Sequence, residues 1–121
     1  MMAFVRSGEN ARCADCGANA PRWASLQLGA VICIACAGVH RTLANAINTR
    51  VKSFTLDRWS EDEIAHFLTL GNRRVNESYG VVSGAPPNVK DLIADDAKLR
   101  HDFILAKYTR TDFAMPTPGS L

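Results

Sequence analysis

The chain has 121 residues, 47% of them hydrophobic and 21% charged, with 14 Lys and Arg against 12 Asp and Glu for a net charge of +2. These proportions allow one domain with a modest core and argue against a disordered segment or a strongly basic nucleic-acid arm. The longest apolar run, Ala30 to Val39, falls short of the about 20 residues that cross a bilayer, and Met1 to Val5 is too short for a secretory core, so a cytosolic or nuclear chain is expected.

Two short strands come first, Arg22 to Leu26 and Ala30 to Cys33, joined through Gln27-Leu28-Gly29 in a hairpin-like connection. From about Ile34 to Leu43 the apolar spacing becomes helical, and Val51 to Leu56 then alternates like a strand with two usable faces. Ser60-Glu61-Asp62-Glu63 has the form of a capping box, which predicts a helix start there with Ile64, Phe67 and Leu68 as its buried stripe. Gly71-Asn72 suits the end of that helix, before a second short one carrying Val75 and Tyr79. After a break at Gly84-Ala85-Pro86-Pro87, Asn88 is placed to cap a turn of helix through Ile93. Asp95-Asp96 is placed to cap a last helix with Leu99, Phe103 and Ala106 on one face and Ile104 beside them. The predicted class is α+β, with short strands in the first half and helices in the second. Residues 1–114 form the domain, and 115–121, rich in Pro and Gly, begin a linker or disordered tail.

The cysteines carry the strongest chemical signal. Cys13 and Cys16 are separated by two residues, Cys33 and Cys36 likewise, with sixteen residues between the pairs. That spacing fits a structural zinc site: each short knuckle aims two thiolates at one ion, and the hairpin returns the second pair to complete a tetrahedron. Asp15-Cys16-Gly17 supplies turn chemistry for the first knuckle. Disulfides are disfavoured without a secretory signal, and a redox pair needs one motif rather than two matched ones. Four thiolates leave the ion no open position, so it holds structure and any catalytic chemistry lies elsewhere.

Arg41 follows the last cysteine by one to two helical turns, on a helix anchored at its start by the metal. A rigidly held, protruding arginine is the part that phosphoryl-transfer proteins insert in trans to neutralise charge on the transferring phosphate. The ordinary reading of Arg41 is a solvated helix residue or surface ion-pair partner, and that of His40 is a packed or hydrogen-bonded ring. Trp23, in the hairpin, serves either as core area near the metal or as an interface anchor. Arg50, Lys52 and Arg58 give the strand region a basic cast, and Asp57 reads as a turn residue.

Taken together, Cys13-Ala-Asp-Cys16-Gly17, Pro21-Arg-Trp23-Ala-Ser25, Gly29 and Cys33-Ile-Ala-Cys36-Ala-Gly38-Val-His40-Arg41 closely resemble the zinc-finger GTPase-activating domain that acts on Arf, the ADP-ribosylation factor GTPases. The resemblance continues through Val51-Lys52-Ser53-Phe-Thr55-Leu56-Asp57-Arg-Trp59, Gly71-Asn72 and Asn76, and Arg100, Phe103-Ile104, Lys107-Tyr108 and Phe113, covering about residues 10 to 114. It implies a small central antiparallel sheet with the four-cysteine zinc module on one side and helices around it, in a domain that accelerates GTP hydrolysis by GTP-bound Arf and so regulates vesicle traffic. It also implies a place in the cytoplasm, peripherally on Golgi or endosomal membranes through its partner or other domains. From the residues themselves a monomer with no nucleic-acid partner is expected, since nothing resembles a coiled coil or a large exposed apolar face and the net charge is only +2. By position, Arg41 is the arginine finger, Trp23, Val39, Lys52 and Asp57 belong to the partner surface, and Cys13, Cys16, Cys33 and Cys36 bind one zinc ion. GTP and magnesium sit on the partner GTPase.

The chain departs from the family pattern just after the finger, where Arg-x-Leu-Gly-x-His-Ile-Ser is replaced by Arg41-Thr-Leu43-Ala44-Asn45-Ala46-Ile47-Asn48-Thr49 and one residue is added before Val51. Losing the glycine at Ala44 and the histidine at Ala46 predicts a different loop path beside Arg41. Two other readings remain at this point. One is a catalytically inactive scaffold that binds an Arf-like GTPase. The other is a DNA-binding finger of the GATA kind, disfavoured by an interval of sixteen rather than seventeen residues and by the absence of a basic stripe.

Overall fold

Three short strands organise the molecule, and the computed structural model describes them within residues 1–115. Trp23–Ser25 (β1) pairs antiparallel with Ala30–Ile32 (β2) and with Val51–Ser53 (β3), in the order β2-β1-β3. In register, Trp23 lies opposite Ile32 and Ser53, Ala24 opposite Val31 and Lys52, and Ser25 opposite Ala30 and Val51. Directly opposed residues share a face, so Trp23, Ser25, Ala30 and Ile32 look one way and Ala24, Val31 and Lys52 the other. The turn at Gly29 has φ of 78°, and a Cβ there would overlap the side chain of Leu70. Glycine therefore meets both a conformational and a steric demand.

Six helices surround this sheet among the described residues: Met2–Val5 (α1), Ile34–Thr42 (α2), Glu61–Phe67 (α3), Asn72–Tyr79 (α4), Val89–Ala94 (α5) and Ala97–Thr109 (α6). A 3₁₀ turn at Gly8–Ala11 follows α1. Each sheet face buries its own cluster. Ala30 and Ile32 pack with Cys36 and Ala37 of α2 and with Phe103, Ile104 and Ala106 of α6, whereas Ala24 and Val31 pack with Val5, Leu26, Phe54 and Phe67. On that second face Phe54, Trp59 and Phe67 form an aromatic trio with ring centroids 5.2 to 5.5 Å apart, favourable spacings for such rings.

The α+β architecture with helices around a small antiparallel sheet is as expected, and several local expectations change. β3 stops at Ser53 instead of Leu56 because Asp57 Oδ2 accepts the Ser53 amide at 2.7 Å and closes a turn. Ser60 and Glu63 form the reciprocal capping box of α3, and Phe67 is buried, but Leu68 is 43% exposed at the helix end. Asn72 opens α4 instead of closing α3. Its carboxamide Oδ1 accepts the Val31 amide at 2.7 Å, and its Nδ2 donates to Val31 O at 2.9 Å and Arg12 O at 2.8 Å. This side chain thereby satisfies part of the open edge of β2. Asn88 precedes α5 without a capping hydrogen bond, whereas Asp96 caps α6 by accepting the Leu99 amide. The expected tail of 115–121 falls outside the described residues beyond Met115.

No helix among the described residues is long and apolar enough to cross a membrane.

Candidate functional site

The four cysteines converge as their spacing predicts: their Sγ atoms all lie within 4.8 Å of one another, with Cys13 and Cys36 buried and Cys16 and Cys33 half-buried. A tetrahedral zinc ion with Zn–S bonds of about 2.3 Å needs sulfurs roughly 3.8 Å apart, and Cys16 Sγ and Cys33 Sγ are 3.5 Å apart. Backbone amides already point at the sulfurs, from Asp15 to Cys13 and from Cys36 to Cys33. Packed this closely, the four thiols cannot titrate independently of one another. Four convergent sulfurs with no oxygen or nitrogen donor among them fit a soft divalent ion in a closed, structural coordination. Such an ion would supply cross-linking of the two knuckles and no activated water.

Cys33 is also the N-cap of α2 and Cys36 lies in its first turn, so two of the four sulfurs sit at that helix's positive end, where anionic sulfur is electrostatically favoured. Nine residues long, α2 carries Arg41 in its last turn. The Arg41 side chain is exposed, with its guanidinium 4.8 Å from the centroid of the Trp23 ring. That cation–π contact spans from the helix to the first residue of β1 and gives a solvent-facing guanidinium a preferred direction.

Behind Arg41 lies a buried polar network. His40 is fully buried, with Nε2 donating to Asp15 Oδ2 at 2.7 Å and Nδ1 sharing a hydrogen bond with Ser25 Oγ at 3.0 Å. Ser25 Oγ lies 2.6 Å from Thr49 Oγ1, and Thr49 Oγ1 reaches Gln27 Oε1 at 3.4 Å. From α6, Lys107 Nζ donates to Asp15 Oδ1 at 2.9 Å and Ala14 O at 2.7 Å, and the Tyr108 hydroxyl donates to Asp15 Oδ1 at 2.6 Å. Burial would raise the Asp15 carboxyl, but Lys107 and then His40 outweigh it and hold Asp15 below the usual carboxylate range. Burial, with the Asp15 charge beside it, pushes Tyr108 well above its ordinary value.

The structure brings Arg41 and Trp23 together and disperses the other expected surface residues. Val39 is half-buried on α2 and packs against the core. Lys52 lies on the opposite sheet face, where Nζ donates to Glu63 Oε1 and Arg58 O, both at 2.8 Å. Asp57 is exposed apart from the turn it closes. In the altered loop the left-handed backbone position is taken by Asn48, with φ of 50°, and not by Ala44. Nothing in the sequence alone gives Asp15, Ser25, Thr49, Lys107 or Tyr108 a place in the site. The one available signal is an acid set between two cysteines at metal-binding spacing, for which solvent exposure is the easier interpretation.

The ArfGap family, described as GTPase activating protein for Arf, matches residues 1–117. The chain is 38% identical over 117 residues to the ADP-ribosylation factor GTPase-activating protein AGD12 of Arabidopsis thaliana, and 38% identical over 110 residues to stromal membrane-associated protein 1 of Homo sapiens. These alignments cover 94% and 91% of this chain but only 34% and 22% of those proteins, so the chain spans a minor part of each. Its fold is like that of the ArfGap domain of HIV-1 Rev binding protein, with a TM-score of 0.72 at 23% identity over 95% of this chain and 84% of that one. Four clustered sulfurs, a three-stranded sheet ringed by helices and a match over nearly every residue lead to one conclusion: the chain belongs to the ArfGap family, the GTPase-activating proteins for Arf.

Proposed function

We propose that this domain accelerates GTP hydrolysis by an Arf-type GTPase in its GTP-bound form, with Arg41 as the arginine that enters the partner's site. The observation that carries this reading is the exposed Arg41 guanidinium, backed by Trp23 and borne on a helix rooted in the four-cysteine centre. A guanidinium presented in this way stabilises charge building on the transferring phosphoryl group without reorganising first. GTP and magnesium belong to the partner, and zinc in this chain is structural. Trp23 is the shelf under Arg41 and Val39 lies on the same helix. Lys52 and Asp57 shape the turn from β3 to α3, where Leu56 is 81% exposed, as the margin of the partner surface. The domain acts as a monomer in the cytoplasm, reaching Golgi or endosomal membranes through its partner or other parts of a longer protein, in vesicle traffic.

The test is single-turnover GTP hydrolysis on a panel of Arf-type GTPases with the zinc-loaded chain and its Arg41→Lys variant. Acceleration on the order of 10³ to 10⁵ is expected, and lysine, lacking the planar fork, should abolish most of it. Binding without acceleration by the folded, zinc-loaded chain would overturn the reading in favour of a scaffold, and neither binding nor acceleration would reopen the nucleic-acid alternative.

A further inference from the structure

The helix that carries Arg41 is held at two points. Its first turn is rooted in Cys33 and Cys36, and its last turn is gripped through His40, whose two ring nitrogens are both engaged inside the protein. An imidazole bonded on one nitrogen can pivot about that contact. Bonded on both, by groups from different elements, it fixes the roll of the helix turn that bears it. The two groups come from the first cysteine knuckle (Asp15) and from the central strand (Ser25). Ser25 lies two residues after Trp23 on the same sheet face, so the strand that clamps His40 also supplies the ring beneath Arg41. Thr49 extends the chain of hydrogen bonds into the loop that leaves the helix, 2.6 Å from Ser25 and 5% exposed.

We propose that His40 is the positioning residue for Arg41: clamped between Asp15 and Ser25, it sets the direction in which the guanidinium leaves the helix, and Thr49 holds the following loop to the same strand. The inference rests on the Arf reading for its catalytic consequence but not for its geometry. A displacement of about 1 Å at a group that must meet a transferring phosphate can cost on the order of 100-fold in rate, which gives a clamp one residue away a kinetic role beyond packing.

The experiment compares His40→Asn, Ser25→Ala and Thr49→Val with the wild-type chain, all zinc-loaded, with metal content and thermal midpoint confirming the fold. Thr49→Val preserves shape while removing only the hydroxyl, so it remains informative if the other two fail to fold. The first readout is the ring-current shift that Trp23 imposes on the Arg41 side-chain protons, together with the NMR order parameter of the Arg41 Nε–H. The second is the kcat and KM for hydrolysis by an Arf-type GTPase. The expected result is loss of the ring-current shift, a lower order parameter and a fall in kcat of about 10- to 100-fold with KM unchanged. Folded variants that keep the Arg41 signals of the wild type would overturn the proposal, as would variants that lose them at full kcat or change only KM. Loss of the Arg41 signals in variants of a wild-type chain that accelerates no GTPase would support the positioning geometry and sink the Arf reading instead.

Discussion

Asp15 is buried with three side-chain donors directed at its two oxygens, from His40, Lys107 and Tyr108. A carboxylate in that position is stabilised by its partners only while all are present, because each one removed leaves charge or a lone pair uncompensated away from water. Lys107→Met should lower stability by about 3 to 5 kcal/mol, read from the denaturant midpoint of the zinc-loaded chain. Tyr108→Phe should cost about 1 to 3 kcal/mol in the same measurement. A midpoint unchanged in Lys107→Met would mean that Asp15 does not depend on that ammonium. Arg41, by contrast, is exposed at the surface, and Arg41→Lys should leave the midpoint within about 0.5 kcal/mol of wild type.

At the level of elements, what could be read from the sequence was what the chain encodes locally. The α3 capping box spans four residues and the cysteine knuckles have a fixed short spacing, so each pattern names its own partner. The side-chain anchoring of Asn72 to Val31 and Arg12 crosses 41 and 60 residues, and the burial of Asp15 depends on residues 92 and 93 positions away. No local pattern marks those pairings, so from sequence alone Asn72 reads as a helix end and Asp15 as a turn residue. The short α1 was unrecognised for a similar reason: its four residues carry no period, and its packing against Phe67 is tertiary.

The capping element also carries a pH dependence. Glu63 is drawn from 4.5 down to about 2, first by the hydrogen bond from Lys52 and then by the Ser60 amide. A carboxyl whose folded value lies below its unfolded one stabilises the fold above about 4.5 and loses that contribution as pH falls toward 2. Lys52→Met should therefore raise the Glu63 titration midpoint seen by NMR and flatten the acid limb of stability over that range. An unmoved Glu63 midpoint would show that the backbone cap alone sets it. In the hairpin, Gly29→Ala should destabilise by more than about 1 kcal/mol in the thermal or denaturant midpoint, since the new Cβ meets both the left-handed backbone and Leu70.

Across the whole molecule, the sixteen residues between the cysteine pairs contain β1 and the residues of β2, and those strands contribute to the clusters on both sheet faces. Stripping zinc should therefore unfold more than the knuckles. Structural zinc contributes an apparent about 10 to 16 kcal/mol at neutral pH, and chelation should abolish near-UV ellipticity from Trp23 and Trp59 together. Retention of the Trp59 signal after complete metal removal would show the second cluster to be independent. The buried carboxylate has a further consequence in time. Cys13 and Cys36 are 23 positions apart, whereas Asp15 waits for Lys107 across 92. A chain emerging from the ribosome in order can capture its metal, close the hairpin and form the arginine helix while α6 is still unmade, since short-range contacts form before long-range ones. The anion is then seated first and its cation arrives last, so maturation of the setting around Arg41 is timed by the far end of the domain.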